Sequence, residues 1–402
     1  MLTSMIRGWR ALPTGIWALG LGSLFMDASS ELIHSLLPVF MVTTLGASMI
    51  TVGVIEGVAE ATAAALKVFS GVLSDYLGKR KFLMILGYAL AAFTKPIFPL
   101  ANSINWVFSA RFIDRLGKGI RGAPRDALIA DMTPLQLRGA AYGLRQALDS
   151  VGALIGPLLA VAFMIWFAGD IRTVMWVAVL PAFIAVSVLF AYVREPEHTN
   201  ANVLGEAPLT VAYAKGLPLR YWFVVLLGAV FTLARFSEAF LVLRAQDVGL
   251  ELNYVPIVMI VMNAFYAGAA YPAGAAADHI SRRTLLTIGL ALLIAADIML
   301  AFAASPLIVF VGAGLWGLHM AFTQGLLSKL VADTAPVELL GTGFGIFNLI
   351  SGGVLLLASV IAGFLWTFLG PSATFMAGAA FTAVAAIGLL ITAGYLKPRN
   401  LS

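Results

Sequence analysis

The sequence predicts an all-α integral membrane protein, with twelve transmembrane helices in two pseudo-symmetric six-helix bundles. Three observations carry that expectation. Of 402 residues, 61% are hydrophobic and 11% charged, with a mean hydropathy of +0.96, whereas a soluble domain carries roughly 25% charge. The apolar residues fall in runs of roughly 18 to 25, the length demanded by a hydrocarbon layer about 30 Å thick. The chain also repeats itself. GVLSDYLGKRK at Gly71 returns as GAAADHISRRT at Gly274, and LIADMTPLQLRGAAYGL at Leu128 returns as LVADTAPVELLGTGFGI at Leu330, at offsets of 203 and 202 residues. Two matches at nearly one offset mark an internal duplication.

The runs are continuous rather than alternating, which excludes a β-barrel, and helices satisfy their own backbone groups in lipid. The spans are read at 16–42, 47–69, 82–100, 104–126, 139–166, 171–193, 220–243, 253–274, 284–303, 306–329, 340–366 and 372–395. The start, MLTSMIRGWRALPTGIWALG, lacks a clear small-residue cleavage site and runs into a polar-studded span, so it is read as uncleaved. The one long polar connection, REPEHTNANVLGEAPLTVAYAKGLPLR, divides an N-terminal bundle (1–194) and a linker (195–219) from a C-terminal bundle (220–402).

An even number of spans leaves both termini on one side. Arg7, Arg10, Lys79, Arg80, Lys81, Arg138, Arg194, Lys215, Arg220, Arg282, Arg283, Lys397 and Arg399 all fall there, while the opposite connections hold Arg172, Lys95 and Arg244. Basic loops stay inside, so the termini and the linker are expected in the cytoplasm of a bacterial inner-membrane protein. The net charge of +5 is accounted for by these loops and calls for no nucleic acid. Absence of cysteine excludes disulfides and thiolate metal sites, the four histidines are dispersed, and no metal or cofactor is expected. The basic stretch DRLGKGIRGAPRD, Asp114 to Asp126, is no nucleotide loop, because Gly119 follows Lys118 where a hydroxyl residue is needed and the preceding residues read as helix.

Ionisable groups at membrane depth must pair, reach the interface or function. Span 1 carries Asp27, Glu31 and His34 at helical spacing, and span 2 carries Glu56 and Glu60 one turn apart. These are the candidates for proton exchange, Glu31 first, since burial favours the protonated carboxyl and a nearby cation the ionised one. Glu56 and Glu60 read equally as packing pairs with helix 4 or 5, and His34 as a structural histidine. Span 4 places Arg111, Asp114, Arg115 and Lys118 along one face, with Arg121 and Arg125 towards the cytoplasmic end in a topological or latch role. Arg145 and Asp149 form a possible self-contained pair on span 5. Arg235, Glu238, Asn263, Trp316, His319 and Gln324 are candidates to line the substrate side of the second half, with packing the alternative for the aromatics.

Three signatures resemble the major facilitator superfamily. Gly71, Asp75, Gly78, Lys79 and Arg80 are similar to its loop between helices 2 and 3, and Gly274, Asp278, Arg282 and Arg283 to the degenerate second copy, with Ser281 where the second glycine would stand. The resemblance implies a cytoplasmic latch. Gly143, Gly152, Gly156 and Pro157 reproduce the helix 5 spacing of its exporters, a glycine face with a proline kink, although Ala160 and Val161 stand where that pattern has further glycines. Arg115, Lys118 and Gly119 are similar to the family's helix 4 arginine signature, with lysine in place of glutamine, and the resemblance implies an arginine near the proton-coupling carboxylates.

Together these readings predict a monomeric secondary transporter, not an enzyme. It would use protons to export a small organic solute by alternating access, binding it near the midplane where the bundles meet. Proton-driven or passive uptake of a small metabolite is the alternative within the same fold, and a non-transporting receptor or scaffold the alternative outside it.

Overall fold

The structure, a computed structural model, describes residues 12–195, 216–276, 279–336 and 339–391, without the side chains of Val72, Asp75, Arg282 and Ser328. Asp278 and the terminal basic residues expected in the cytoplasm therefore lie outside the described residues. The regular elements are α1 (Thr14–Val39), α2 (Met49–Leu77), α3 (Arg80–Thr94), α4 (Ile97–Leu100), α5 (Ile104–Met132), α6 (Arg138–Trp166), α7 (Ile171–Val177) and α8 (Val179–Tyr192). They continue with α9 (Leu219–Ala234), α10 (Ala239–Asp247), α11 (Ile257–Ala276), α12 (Arg282–Ala301), α13 (Pro306–Thr334), α14 (Leu340–Leu369) and α15 (Pro371–Ile391). Helix occupies each of the twelve predicted ranges, and ten stretches are long and apolar enough to cross a membrane. The other two, α1 and α5, are long enough but carry the ionisable residues.

Three predicted spans are broken, two of them for a local reason. Lys95 and Pro96 interrupt the third between α3 and α4, and Pro181 removes the N–H that would bond the carbonyl of Val177, where α7 ends. The seventh, expected unbroken over 220–243, stops at Ala234 and restarts at Ala239. Neither proline nor glycine marks that break. Its backbone is satisfied by side chains instead: Ser237 N donates to Ser359 Oγ at 3.2 Å, and Ala239 N to Ser237 Oγ at 3.2 Å. Pro38 weakens the end of α1, which relaxes into a π turn over Phe40–Thr44.

The chain divides into two compact units, one comprising Met1–Leu45, Thr62–Glu206 and Leu252–Pro256, the other Gly46–Ala61, Ala207–Glu251 and Ile257–Ser402. In unit 1 the most extensive pairs are α1 with α6 and α3 with α5. Lipid offers no hydrophobic gain to helices that merely touch, so close approach has to provide the attraction. Gly87 and Gly117 supply it between α3 and α5: a Cβ at Gly117 would lie 2.4 Å from the Gly87 carbonyl oxygen, and one at Gly87 2.6 Å from that of Gly117. Unit 2 uses the same device, since a Cβ at Gly317 of α13 would lie 2.2 Å from the Met262 carbonyl of α11. The first part of α2 belongs to unit 2, where Gly53 seats against the Ser359 carbonyl and Gly57 against Leu356 of α14. Large apolar side chains such as Leu180, Phe190, Leu226 and Ile387 stay exposed on the outer faces, as lipid contact requires.

The turn between α2 and α3 needs Gly78, whose φ of 60° is left-handed. Glu195 then accepts from the first two N–H groups of α3, Arg80 at 2.9 Å and Lys81 at 2.8 Å, doing for that helix end what a local cap would. At the opposite type of connection Asp170 caps α7, and its hydrogen bond from the Thr173 hydroxyl lowers its carboxyl below the usual range.

Gly117→Val is expected to lower the thermal unfolding midpoint in detergent, by an overpacking cost of about 1–3 kcal/mol. Gly143→Ala, where nothing lies within 4 Å of the added carbon, is expected to leave the midpoint unchanged or raise it slightly.

Candidate functional site

The glycine stripe of α6 sits directly behind the acidic face of α1. A Cβ at Gly152 would lie 2.5 Å from the Leu24 carbonyl and 3.2 Å from Asp27 Cβ, and one at Gly156 2.6 Å from the Ala28 carbonyl and 2.9 Å from Glu31 Cβ. The stripe thus seats the helix that carries the expected proton-exchanging groups. Gly143 makes no such approach, while Pro157 lies inside α6 as expected.

Around this pair of helices unit 1 assembles a charge cluster from α1, α3, α5 and α6. At one end Lys95 Nζ donates to Asp114 Oδ1 at 2.8 Å and to Ser30 Oγ at 3.0 Å, with Arg115 Nε 3.9 Å from the other Asp114 oxygen. Lys95 is 1% exposed. Its assignment to an external connection is therefore corrected: it ends α3 inside the unit, compensated by the buried carboxylate across from it and by the Ser30 hydroxyl. Arg111, Asp114 and Arg115 are all buried as predicted. Arg244, also assigned to an external connection, is buried too, its guanidinium donating to the carbonyls of Leu300 and Ala303 and pairing with Asp247.

The contacts of the α1 acids are looser. Asp27 Oδ1 lies 3.9 Å from Arg121 Nη2, beyond hydrogen-bond length, and the Asp27 side chain keeps 28% exposure. Glu31 is 3.6 Å from His34 Nδ1 and 22% exposed, within electrostatic reach of Lys118 and Arg115. Arg121 is buried and lies over the Tyr88 ring at 4.4 Å. Arg125 donates to Ser23 Oγ at 3.1 Å and to Asp126 Oδ1 at 3.2 Å. The expectation that Arg121 and Arg125 lead α5 out to the cytoplasm is corrected accordingly, since α5 continues to Met132 and both guanidiniums serve the cluster. Nor is Arg145 with Asp149 self-contained. Their pair at 2.5 Å extends to Asp126, 3.2 Å from Arg145 Nη1.

Glu56 is wholly buried, and with Glu60 it lies in the stretch of α2 that belongs to unit 2. In the loop signature Arg80 pairs with Asp131 and Lys81 Nζ donates to the Phe190 carbonyl at 3.1 Å. Lys79 is exposed, as is Gly71's neighbour Leu73. In the second copy Gly274 is exposed and Arg283 donates to the Leu390 carbonyl at 3.3 Å. Asp75, Asp278 and Arg282, whose latch roles the signature implies, fall outside the described side chains.

In unit 2 the predicted residues gather around α11 and α13. His319 Nδ1 is 2.9 Å from the Gly289 carbonyl, which can only accept, so Nδ1 carries a hydrogen. Trp316 is buried against Phe236 at 5.5 Å, and His319 lies 5.3 Å from Phe231. Tyr266 donates to Gln324 at 3.3 Å, and Arg235, beside Glu238 in the break of the seventh span, is within electrostatic reach of both Tyr266 and His319. A cavity of about 340 Å³ is lined by Tyr266, Met320, Gln324 and Lys329, a volume suited to a small molecule. Asn263, one turn before Tyr266 on α11, is partly buried and outside that lining. Among the described residues no cluster of His, Cys, Asp or Glu could hold a metal ion.

A family profile described as Major Facilitator Superfamily matches residues 19–262 and, in a second match, 226–401. The chain belongs to that superfamily. It is 30% identical over 389 residues to the uncharacterized MFS-type transporter MJ1317 of Methanocaldococcus jannaschii, covering 95% of each chain. It is 27% identical over 168 residues to the multidrug resistance protein MdtH of Proteus mirabilis, covering 42% of this chain and 41% of that one. Its fold is similar to the crystal structure of the nucleoside transporter NupG, with a TM-score of 0.79 at 13% identity over 94% of this chain and 99% of that one. This is therefore a multi-pass membrane transporter of the superfamily.

Several members of the site escaped the sequence reading. Tyr88, Asp126 and Glu195 carry no periodic signal and join only through tertiary contact. Lys95 was counted with the opposite connections, and nothing in its neighbourhood says that it pairs with Asp114. Asp297, buried in unit 2, did have a signal: a lone carboxylate in the apolar run LLIAADIML.

Asp114→Leu is expected to cost roughly 3–5 kcal/mol, because it strands the Lys95 ammonium. Lys95→Met should cost less, since Arg115 still faces Asp114, and Lys95→Met with Asp114→Leu should recover most of the loss. Thermal unfolding of the four proteins forms a double-mutant cycle that measures the pair.

Proposed function

We propose that this superfamily transporter is a proton-coupled antiporter that exports a small organic solute by alternating access. It works as a monomer in the cytoplasmic membrane of a bacterium, with both termini in the cytoplasm. The observation that carries the reading is the contrast within the charge cluster. Lys95 and Asp114 are closed off and hydrogen-bonded, with side chains 2% and 5% exposed, whereas Asp27 and Glu31 keep partial exposure and partners beyond hydrogen-bond length. A group that exchanges protons has to meet water in at least one conformation and has to be able to let its partner go. Asp27 and Glu31 satisfy both conditions, and the Lys95–Asp114 pair satisfies neither.

Protonation of Asp27 or Glu31 removes the attraction to Arg121 or to the Lys118–Arg115 region and biases the arrangement of α1 against α5. Loss of that proton restores it. The cavity beside Tyr266 and Gln324 supplies a space of solute size. Export rather than uptake is supported by the helix 5 glycine pattern, which packs where the acids are, and by the similarity to MdtH, a multidrug resistance protein.

Cells expressing the chain should retain less of at least one solute from a panel of labelled organic compounds, and a protonophore should abolish the difference. In vesicles with an imposed pH gradient, Glu31→Gln should abolish pH-driven movement of that solute while leaving the thermal midpoint near wild type. Undiminished flux in this variant, and in Asp27→Asn beside it, would sink the assignment.

A further inference from the structure

The least compensated group among the described residues lies outside the charge cluster. Asp297, on α12, is 0% exposed, and neither carboxylate oxygen has a hydrogen-bond partner. Its carboxyl lies over the bare Cα of Gly378 on α15. A Cβ there would come within 2.7 Å of Oδ2 and 3.1 Å of a Phe236 ring carbon. Phe236 belongs to the interrupted backbone between α9 and α10, and its ring also packs against Trp316 and Phe375, each at 5.5 Å. The Asp297 carboxyl and the Phe236 ring thus both lie against the bare Cα of Gly378, the ring being mounted on a discontinuous span.

Among the described residues no cation is paired with it. The elements packed against α12 are α13 and α15. The latter has no titratable residue. On α13 His319 is committed through Nδ1 to Gly289, eight residues from Asp297, and Lys329 is exposed near the other end of the helix. Arg244 reaches the end of α12, but its donors are taken by the carbonyls of Leu300, Ala301 and Ala303 and by Asp247. Arg235 and Glu238 flank Phe236 in the break, and no ion pair joins either to Asp297 among the described residues. An ionised carboxylate in such a place would cost several kcal/mol or more, and the apolar wall offers too few oxygens for a metal cation. A proton needs no ligands and no room.

From this juxtaposition we infer that Asp297 is a proton-carrying site of the second unit, loaded in this conformation and gated by Phe236 on the interrupted span. It adds a second carrier to the proposed antiport and rests on that reading only for what the proton drives. Interrupted membrane helices are where transporters place coupling ions, and here the interruption carries Phe236.

The test needs no solute, which separates it from the vesicle assay above. Wild type and Asp297→Asn are compared as full chains in lipid nanodiscs. A group that holds a proton when folded and releases it when unfolded makes stability fall as pH rises, so the wild-type midpoint should drop relative to that of Asp297→Asn between about pH 5 and pH 8. The infrared C=O band of a protonated carboxyl should be present in wild type at neutral pH and missing from the variant. Phe236→Ala should speed exchange of that proton for deuterium and make the band disappear as pH is raised. Parallel stability curves, an unchanged band, or failure of both Asp297→Asn and Asp297→Leu to fold would overturn the inference, the last because a neutral carboxyl is replaceable and an ionised one is not. If Phe236→Ala leaves exchange unaltered, Asp297 is a packing residue and not a carrier.

Discussion

Hydrocarbon can neither solvate a charge nor complete a backbone hydrogen bond, and that single constraint orders the molecule. Every ionisable side chain placed inside has to bring its compensation with it. Unit 1 does so with opposite charges: Lys95 meets Asp114, Arg145 meets Asp149 and Asp126, and Arg125 meets Asp126 and Ser23. Arg121 divides its charge between a distant Asp27 and the face of Tyr88. Such a network balances more than it stabilises, because each pair repays a desolvation cost of similar size. What it gains is a set of alternatives, since a proton arriving on one carboxylate leaves the remaining charges to find a new arrangement.

Those arrangements depend on helices close enough for short side chains to meet. The approach of α1 to α6 at Gly152 and Gly156, and of α3 to α5 at Gly87 and Gly117, is what brings Asp27, Glu31, Tyr88 and Lys95 to bear on α5. The same residues explain why the exporter-like glycine pattern matters chemically. A side chain at Gly156 would displace the helix that carries Glu31 before it altered anything else. Departure from the pattern at Ala160 is tolerated because that residue is small and fully buried.

The helical class, the placement of the spans and the superfamily were legible in the sequence because each follows from a property of contiguous residues: an apolar run, a repeat, a spaced set of glycines. The acids of α1 and the basic face of α5 were legible too, since helical spacing alone aligns them. Their partners were not. Nothing local says that Lys95 turns inward rather than into the loop beyond Pro96, or that Glu195 returns to cap α3, because both depend on which distant helix arrives alongside. The break at Arg235–Glu238 was hidden for a similar reason. It has no proline or glycine, and it exists because Ser359, 122 residues from Ser237, accepts the freed N–H.

The two units answer the same constraint differently. Asp27 and Glu31 stand within reach of cations, Arg121 for the first and Lys118 with Arg115 for the second. Asp297 has no cation paired with it among the described residues and lies against the bare Cα of Gly378 instead. The duplication that produced the two halves kept the helical frame and the loop signature but not this chemistry, since Arg145 and Asp149 correspond to Phe347 and Ser351. Under the proposed antiport, these two settings give the chain two distinct points at which a conformational change can be tied to a proton. Symmetric halves with matching charges would have provided two copies of only one.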